Sequence, residues 1–232
     1  MSIYRVFLFT AQFLGLIWLP ATLAVADRPL TPQDWQLIRK EKDFILFQKE
    51  VPGTSVVAFR GEGLIEAPLW KVASILLDDR RAPEWVDRLI KSKIIGPASP
   101  YEFLDYTHFK TLPFVKEREF VARVKLEVDE KAKTFTIRQN SVEFDLPSKP
   151  NLIRGDLIYC LFNLSSGPRE SVTRLTVEIQ ADPKGSIPKW LVNTFQQNWP
   201  IVTFRGIQKQ VEKSNIEAPH QFQAVLVQLR KF

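Results

Sequence analysis

The chain has 232 residues, of which 45% are hydrophobic, 12% aromatic and 25% charged; this excludes a disordered or low-complexity polypeptide and fits one large domain or two small ones. A single cysteine excludes an intramolecular disulfide and a cysteine-rich zinc site, and two histidines are too few for a His-dominated metal cluster. The net charge of +6 is mild and suits an anionic membrane surface at least as well as nucleic acid.

The first element is a targeting segment. Arg5 precedes an apolar run from Val6 to Leu19, followed by Pro20 and then Ala24-Val25-Ala26. A basic start, an apolar centre, a helix breaker and an Ala-x-Ala site are the parts of a secretory signal peptide. Residues 1–26 are therefore read as a signal whose cleavage would leave Asp27–Phe232 as the mature domain, exported to a periplasm or secreted. The same stretch is also about long enough to span a bilayer as an uncleaved N-terminal anchor. The lone Cys160 lies in the apolar run Leu157–Phe162 and is expected to be a buried, unreactive thiol.

Thr31, Pro32 and Asp34 carry helix-start chemistry, and the spacing predicts a short helix through Trp35–Glu41. Strand-like runs follow at Phe44–Val51 and Thr54–Ile65, joined by the turn Pro52-Gly53. Leu69, Val72, Ala73, Leu76 and Leu77 predict a helix over Pro68–Leu77, and a second short helix is read over Ala82–Ile90. From there the pattern alternates. In Glu119–Val128, Phe120, Ala122, Val124, Leu126 and Val128 face one way, with Arg123, Lys125 and Glu127 on a wet face. Strands are also predicted at Tyr101–Thr111, Lys133–Val142, Ile153–Leu164 and Thr173–Gln180, linked as antiparallel hairpins and meanders. The longest helical stretch is Ile187–Lys213, about 40 Å long, with Ile187, Leu191, Phe195, Trp199, Val202, Ile207 and Val211 approximating one face. Pro200 should kink it. The fold class is α+β: a bent antiparallel sheet wrapped around a long C-terminal helix, in one domain over residues 27–232.

These stretches resemble a known family, the START domain (steroidogenic acute regulatory protein-related lipid transfer). The resemblance rests on Trp70–Asp78 followed by Pro83-Glu84-Trp85, Pro113 with Lys116–Val121, Leu152-Ile153-Arg154, and Asp182–Leu191 opening the last helix. It implies a helix-grip fold like that of Bet v 1-type proteins, a tunnel for one lipid or sterol-like molecule, transient contact with a membrane surface, a monomer and no cofactor. Phe103, Asp105, Gln139, Ser141, Leu191, Phe195, Trp199 and Val202 are the expected tunnel residues. The loop Leu146–Leu152, with Leu146, Pro147 and Leu152, would close the mouth together with Ile187 and Trp190. Leu146–Leu152 also reads as a plain surface loop.

Val124 stands where some sterol-binding members carry an inward Arg, and Arg123 falls on the other face. An inward Asp105 would then lack a cation, and its pKa would rise; a twist of the strand toward water is the alternative. Gln139 and Ser141 offer hydrogen bonds to a headgroup or to solvent, and Trp190 belongs either at a bilayer interface beside Lys189 or in the core. Related helix-grip proteins include cyclases and aromatases, so an enzyme acting on an apolar substrate is the rival function. No hydrolase elbow, nucleotide loop or His-Glu-x-x-His motif is present. Asp105 and His108, three apart on a strand, point to opposite faces. Basic residues are dispersed, which argues against nucleic acid.

Overall fold

The computed structural model describes residues 34–96, 98–147, 149–217 and 219–232. The signal segment and the helix start at Thr31-Pro32-Gln33 fall outside the described residues. The strands are β1 (Gln36–Lys40), β2 (Phe44–Lys49), β3 (Ala58–Ile65), β4 (Leu89–Ile95), β5 (Glu102–Phe109), β6 (Glu117–Asp129), β7 (Thr134–Ser141), β8 (Leu152–Arg154), β9 (Asp156–Ser166) and β10 (Thr173–Asp182). They form one sheet in the order β1-β2-β3-β10-β9-β7-β6-β5-β4, with β8 paired to β6 off this path. The ladders along that path are antiparallel, whereas β8 runs parallel to β6. Three helices complete the fold: α1 (Leu69–Leu77), α2 (Lys189–Val211) and α3 (Gln223–Leu229). Alternating residues from β2, β7, β9 and β10 meet α1, α2 and α3 in one core that includes Phe44, Phe135, Leu164, Leu175, Phe204 and Leu226.

Three expectations are corrected. Trp35–Glu41 is not a helix: residues 36–40 pair with β2 as an edge strand. Its register shifts between Leu37 and Arg39, so Ile38 reaches the core although it lies three residues after Trp35, a spacing that imitates a helical face. Ala82–Ile90 is helical only as a 3-10 turn at Ala82–Glu84; Arg88 has φ +58°, outside any helix, and β4 begins at Leu89. The run Ile153–Leu164 is split at Gly155 into β8 and β9, because a Cβ there would lie inside the Phe120 ring. A further element was not read from sequence: α3, whose Val225, Leu226 and Leu229 are buried.

The long helix is held along its length on one side. Gln196 bonds both ways to Ala181, accepting from its N–H and donating to its C=O, each at 2.8 Å. Asn193 does the same across Val57 N–H and Ser55 C=O, both at 3.0 Å. Further along, Pro200 and Phe204 sit directly on Gly61 and Gly63 of β3: a Cβ on Gly61 would come within 2.8 Å of Pro200 Cβ, and one on Gly63 would overlap the Phe204 ring. Arg205 then closes on Asp43 at 2.7 Å and on Glu41 at 3.1 Å.

Substituting Gly63→Ala places a methyl group between a ring and the Asp43 carbonyl. The expected cost is roughly 2–3 kcal/mol of overpacking, seen as a lower urea midpoint with unchanged slope.

Candidate functional site

The residues above dictate which side of α2 is free. Its buried side carries Val192, Gln196, Pro200, Thr203, Phe204, Ile207 and Gln210; Gln210 bonds Arg81 and Glu84, and Val192 and Gln196 also border the pocket described next. The apolar row Ile187, Leu191, Phe195, Trp199 and Val202 is rotated away from that side and faces an outer pocket of about 470 Å³. Leu112, Val115, Phe109, Phe120 and Pro183 supply most of the rest of its wall, with Arg88, Lys110 and Arg118 as its cations and Asp87 as an anion. The Arg88 guanidinium lies 5.0 Å from the Phe195 ring centroid.

An inner chamber of about 160 Å³ lies deeper. Phe109, Phe120, Ala181 and Trp199 line both spaces, so the two abut across this group of side chains. Phe109 and Phe120 meet edge to face at 5.9 Å, and Trp199 meets Phe162 at 6.0 Å. Strand alternation builds the chamber: Phe103, Asp105, Thr107 and Phe109 of β5 point inward in one row, opposite Ile137 and Gln139 of β7. On β9 a bulge beside β10 lets Leu157 and Cys160, three apart, both face inward.

Two carboxylates, Asp79 and Asp105, line the chamber. Ser92 Oγ donates to the two oxygens of Asp105 at 3.1 and 3.4 Å. Among the described residues lining the chamber none is positively charged, and Asp79, whose carboxylate accepts from Ile94 N–H at 3.3 Å, lies close enough to add repulsion. Burial, against the Ser92 bond and with the Asp79 charge, raises the Asp105 carboxyl to about 6. Val124 faces the chamber and Arg123 lies outside it, bonded to Glu102 at 3.4 Å. Cys160 is buried and its thiol is pushed up by burial and by the Glu178 charge, so it stays protonated.

The structure therefore brings Phe103, Asp105 and Gln139 to the inner chamber, Leu191, Phe195 and Val202 to the outer pocket, and Trp199 to both. Ser141 lines neither; its Oγ accepts from Leu157 N–H at 2.7 Å and so serves the bulge. Of the expected gate residues, Ile187 lines the outer pocket. Leu146, Pro147 and Leu152 line neither space: Leu152 is buried beside Glu117 of β6, Pro147 is exposed, and the Leu146 carbonyl accepts from Arg154 at 3.3 Å. Arg154 also donates to Glu119 at 2.8 and 3.0 Å, and Tyr106 donates to the same carboxylate at 3.0 Å. Glu119 is 1% exposed and alternates with Phe120, so this network lies on the sheet face opposite the chamber.

The mouth is instead bordered by the β5–β6 hairpin loop, residues 110–116, and by the segment that opens α2. Leu112 and Val115 line the pocket, while Phe114, at φ +66°, is fully exposed at the loop tip. Ile187 lines the same pocket, and Trp190 is 70% exposed beside it in sequence, so Trp190 is not a core residue. The signal that marks this loop is Leu112-Pro113-Phe114-Val115 between Lys110 and Lys116, an apolar hairpin tip with basic flanks. His108 points away from the chamber and bonds Glu117 at 2.7 Å, and His220 is exposed. The described residues hold no group of three or more His, Cys, Asp or Glu placed to bind a metal.

The fold and the two spaces beneath α2 are those of a helix-grip protein. The START domain family model matches residues 22–213, and the chain belongs to that family. An uncharacterized protein of Pseudomonas aeruginosa is 26% identical over 200 residues, which cover 83% of this chain and 94% of that protein. Human StAR-related lipid transfer protein 5 superposes with a TM-score of 0.71 at 20% identity, covering 78% of this chain and 88% of the other. A STAR-related lipid transfer protein fragment from Xanthomonas axonopodis gives 0.66 at 22% identity, covering 78% and 99%.

Asp105 also predicts a pH signature. Its carboxyl titrates near 3.8 when unfolded and near 6 when folded, so its ionisation penalises the folded state progressively from about pH 4 and fully above pH 6. Asp105→Asn should therefore leave stability near pH 4 unchanged and raise it at pH 8 by up to about 3 kcal/mol. Urea denaturation at the two pH values checks this; equal effects at both would contradict it.

Proposed function

We propose that this protein binds one lipid or other apolar molecule beneath α2 and carries it between membranes. The observation that carries the reading is the apolar row Ile187, Leu191, Phe195, Trp199 and Val202, at the start and along one side of α2, which faces a cavity while Pro200, Phe204 and Ile207 are buried on another side of the helix. Enclosing a hydrocarbon chain gains roughly 0.8 kcal/mol per CH₂, so a long chain supplies on the order of 10 kcal/mol before ordering costs. No covalent chemistry is needed to extract it. The cargo's polar group is one that donates to Asp105, an alcohol or an amine, because a carboxylate or phosphate would meet like charge in the chamber.

Phe114 and Trp190 are the membrane anchors in this reading. Both are exposed aromatics beside the mouth, and Lys110, Lys116, Lys184 and Lys189 flank them in sequence. Aromatic rings settle at the bilayer interface while lysines meet lipid phosphates. Export by the N-terminal signal would place the carrier in a periplasm or outside the cell, and the intact mass of protein from its native host should then begin at Asp27; a chain beginning at Met1 would favour the anchor.

Native mass spectrometry of protein purified without detergent, followed by extraction, should find one apolar molecule per chain, and the protein should move that molecule between liposomes. Phe114→Asp should slow transfer at least tenfold and weaken sedimentation with anionic vesicles, yet leave preloaded cargo in place. A chain that neither retains nor takes up any lipid from liposomes would refute the carrier reading.

A further inference from the structure

The inward row of β5 orders the chamber by depth. Phe109 stands at the junction with the outer pocket, followed by Thr107, Asp105 and Phe103. Successive members of such a row are about 7 Å apart, so Asp105 lies one step short of Phe103. Behind Phe103 is Phe222, with ring centroids 5.2 Å apart and planes tilted by 44°. Phe222 is 1% exposed, and it also lines a separate recess of about 250 Å³ with Ala98, Ser99, Pro100 and Gln221. Two aromatic rings therefore divide the chamber from that recess.

Phe222 comes from a segment beyond residue 213, where the family model ends. That segment is fixed in place by the burial of Val225, Leu226 and Leu229, by Gln228 donating to Tyr101 Oη at 3.2 Å, and by Ser166 Oγ donating to the Phe232 carbonyl at 3.2 Å. The Arg230 guanidinium lies 5.2 Å from the Trp70 ring centroid and pins the segment to α1.

We propose that Phe222, backing Phe103, is a specificity wall added to the family domain, which restricts the cargo to molecules whose hydrogen-bonding group is at their terminus. The proposal rests on the reading that cargo enters the inner chamber and meets Asp105. A group engaged there has at most one strand step of space beyond it, and the Phe103 ring occupies that step. Carbon atoms on the far side of the polar group have nowhere to go while both rings stand. Shortening Phe222 takes away the ring that backs Phe103, so that Phe103 can tip toward the recess and the restriction is relieved.

The test compares 1-hexadecanol with 5-hexadecanol, which have the same carbon count but differ in the position of the hydroxyl. The full chain should bind the primary alcohol at least tenfold more tightly, the worth of about two buried methylenes. In Phe222→Ala the ratio should fall to about one, with binding of 1-hexadecanol retained. Phe222→Leu, which keeps an apolar side chain in the core, should lower the ratio at least threefold and serves as the readout if the alanine variant does not fold. Equal binding of the two alcohols by the unaltered chain, or an unchanged ratio in the folded variants, overturns the wall and leaves the carrier reading standing. Failure of the unaltered chain to bind either alcohol overturns the reading of the chamber itself, and the wall with it.

Discussion

The seating of α2 on Gly61 and Gly63 is the constraint from which the rest of the architecture follows. Two positions without side chains let Pro200 and Phe204 rest directly on the β3 backbone, closer than any alanine would permit. With that side of the helix committed, and Gln196 and Asn193 bonded to backbone at its N-terminal half, the helix has no freedom to roll. Within its Ile187–Val202 row, Trp199 reaches Phe162 of the sheet, while Leu191, Phe195 and Val202 border open space. The cavity is thus a consequence of a helix fixed by its other side. A cavity of this kind persists because collapse would require breaking the amide bonds and lifting Phe204, each of which leaves buried groups unsatisfied or unpacked.

The polar groups inside obey the same economy of partners. Asp105 has only neutral donors, the Ser92 hydroxyl and backbone groups of Lys93 and Tyr106, and its ionisation is disfavoured by burial and by Asp79. Glu119, more deeply buried one strand away on the opposite face, has two donors in Arg154 and Tyr106. The contrast between two buried carboxylates separates roles by chemistry: the satisfied one holds strands β5, β6 and β8 together, and the undersupplied one borders the chamber. Val124 is the residue that makes the difference, since an apolar side chain opposite Phe103 supplies no charge to the chamber.

Alternation was readable wherever a strand had one wet face. The inward rows of β5, β7 and β10 follow from period two, and so does the placement of Arg123 outside and Val124 inside. Errors arose where the period was broken or a partner was remote. The bulge at Ile38 gave an edge strand the spacing of a helix, and the left-handed Arg88 ended a helical pattern that Trp85, Val86 and Leu89 otherwise sustained. The apolar row of α2 was visible, but its target was not, because an apolar face looks the same in sequence whether it meets a sheet or a cavity. Gln196, Thr203 and Gln210 mark the true packing side, and polar residues give no periodic signal for it. The leucines and prolines of Leu146–Leu152 suit a lid, yet the Arg154 that pairs with Glu119, 35 residues away, also holds the Leu146 carbonyl, a long-range contact that sequence spacing does not show.

Arg118 connects this architecture to motion at the mouth. Its side chain is buried without a carboxylate partner, and that burial lowers its pKa. Instead the guanidinium donates to the Lys116 carbonyl on one lip, and to the Pro183 and Lys184 carbonyls, at 2.8 and 3.1 Å, on the other. One cation therefore ties the root of the hairpin loop to the root of α2. Separating the lips there would strand a buried charge, which costs far more than parting exposed side chains. Towards their tips the same two segments carry Phe114 and Trp190. The two segments are thus joined at their roots by Arg118, while Phe114 and Trp190 are turned to solvent.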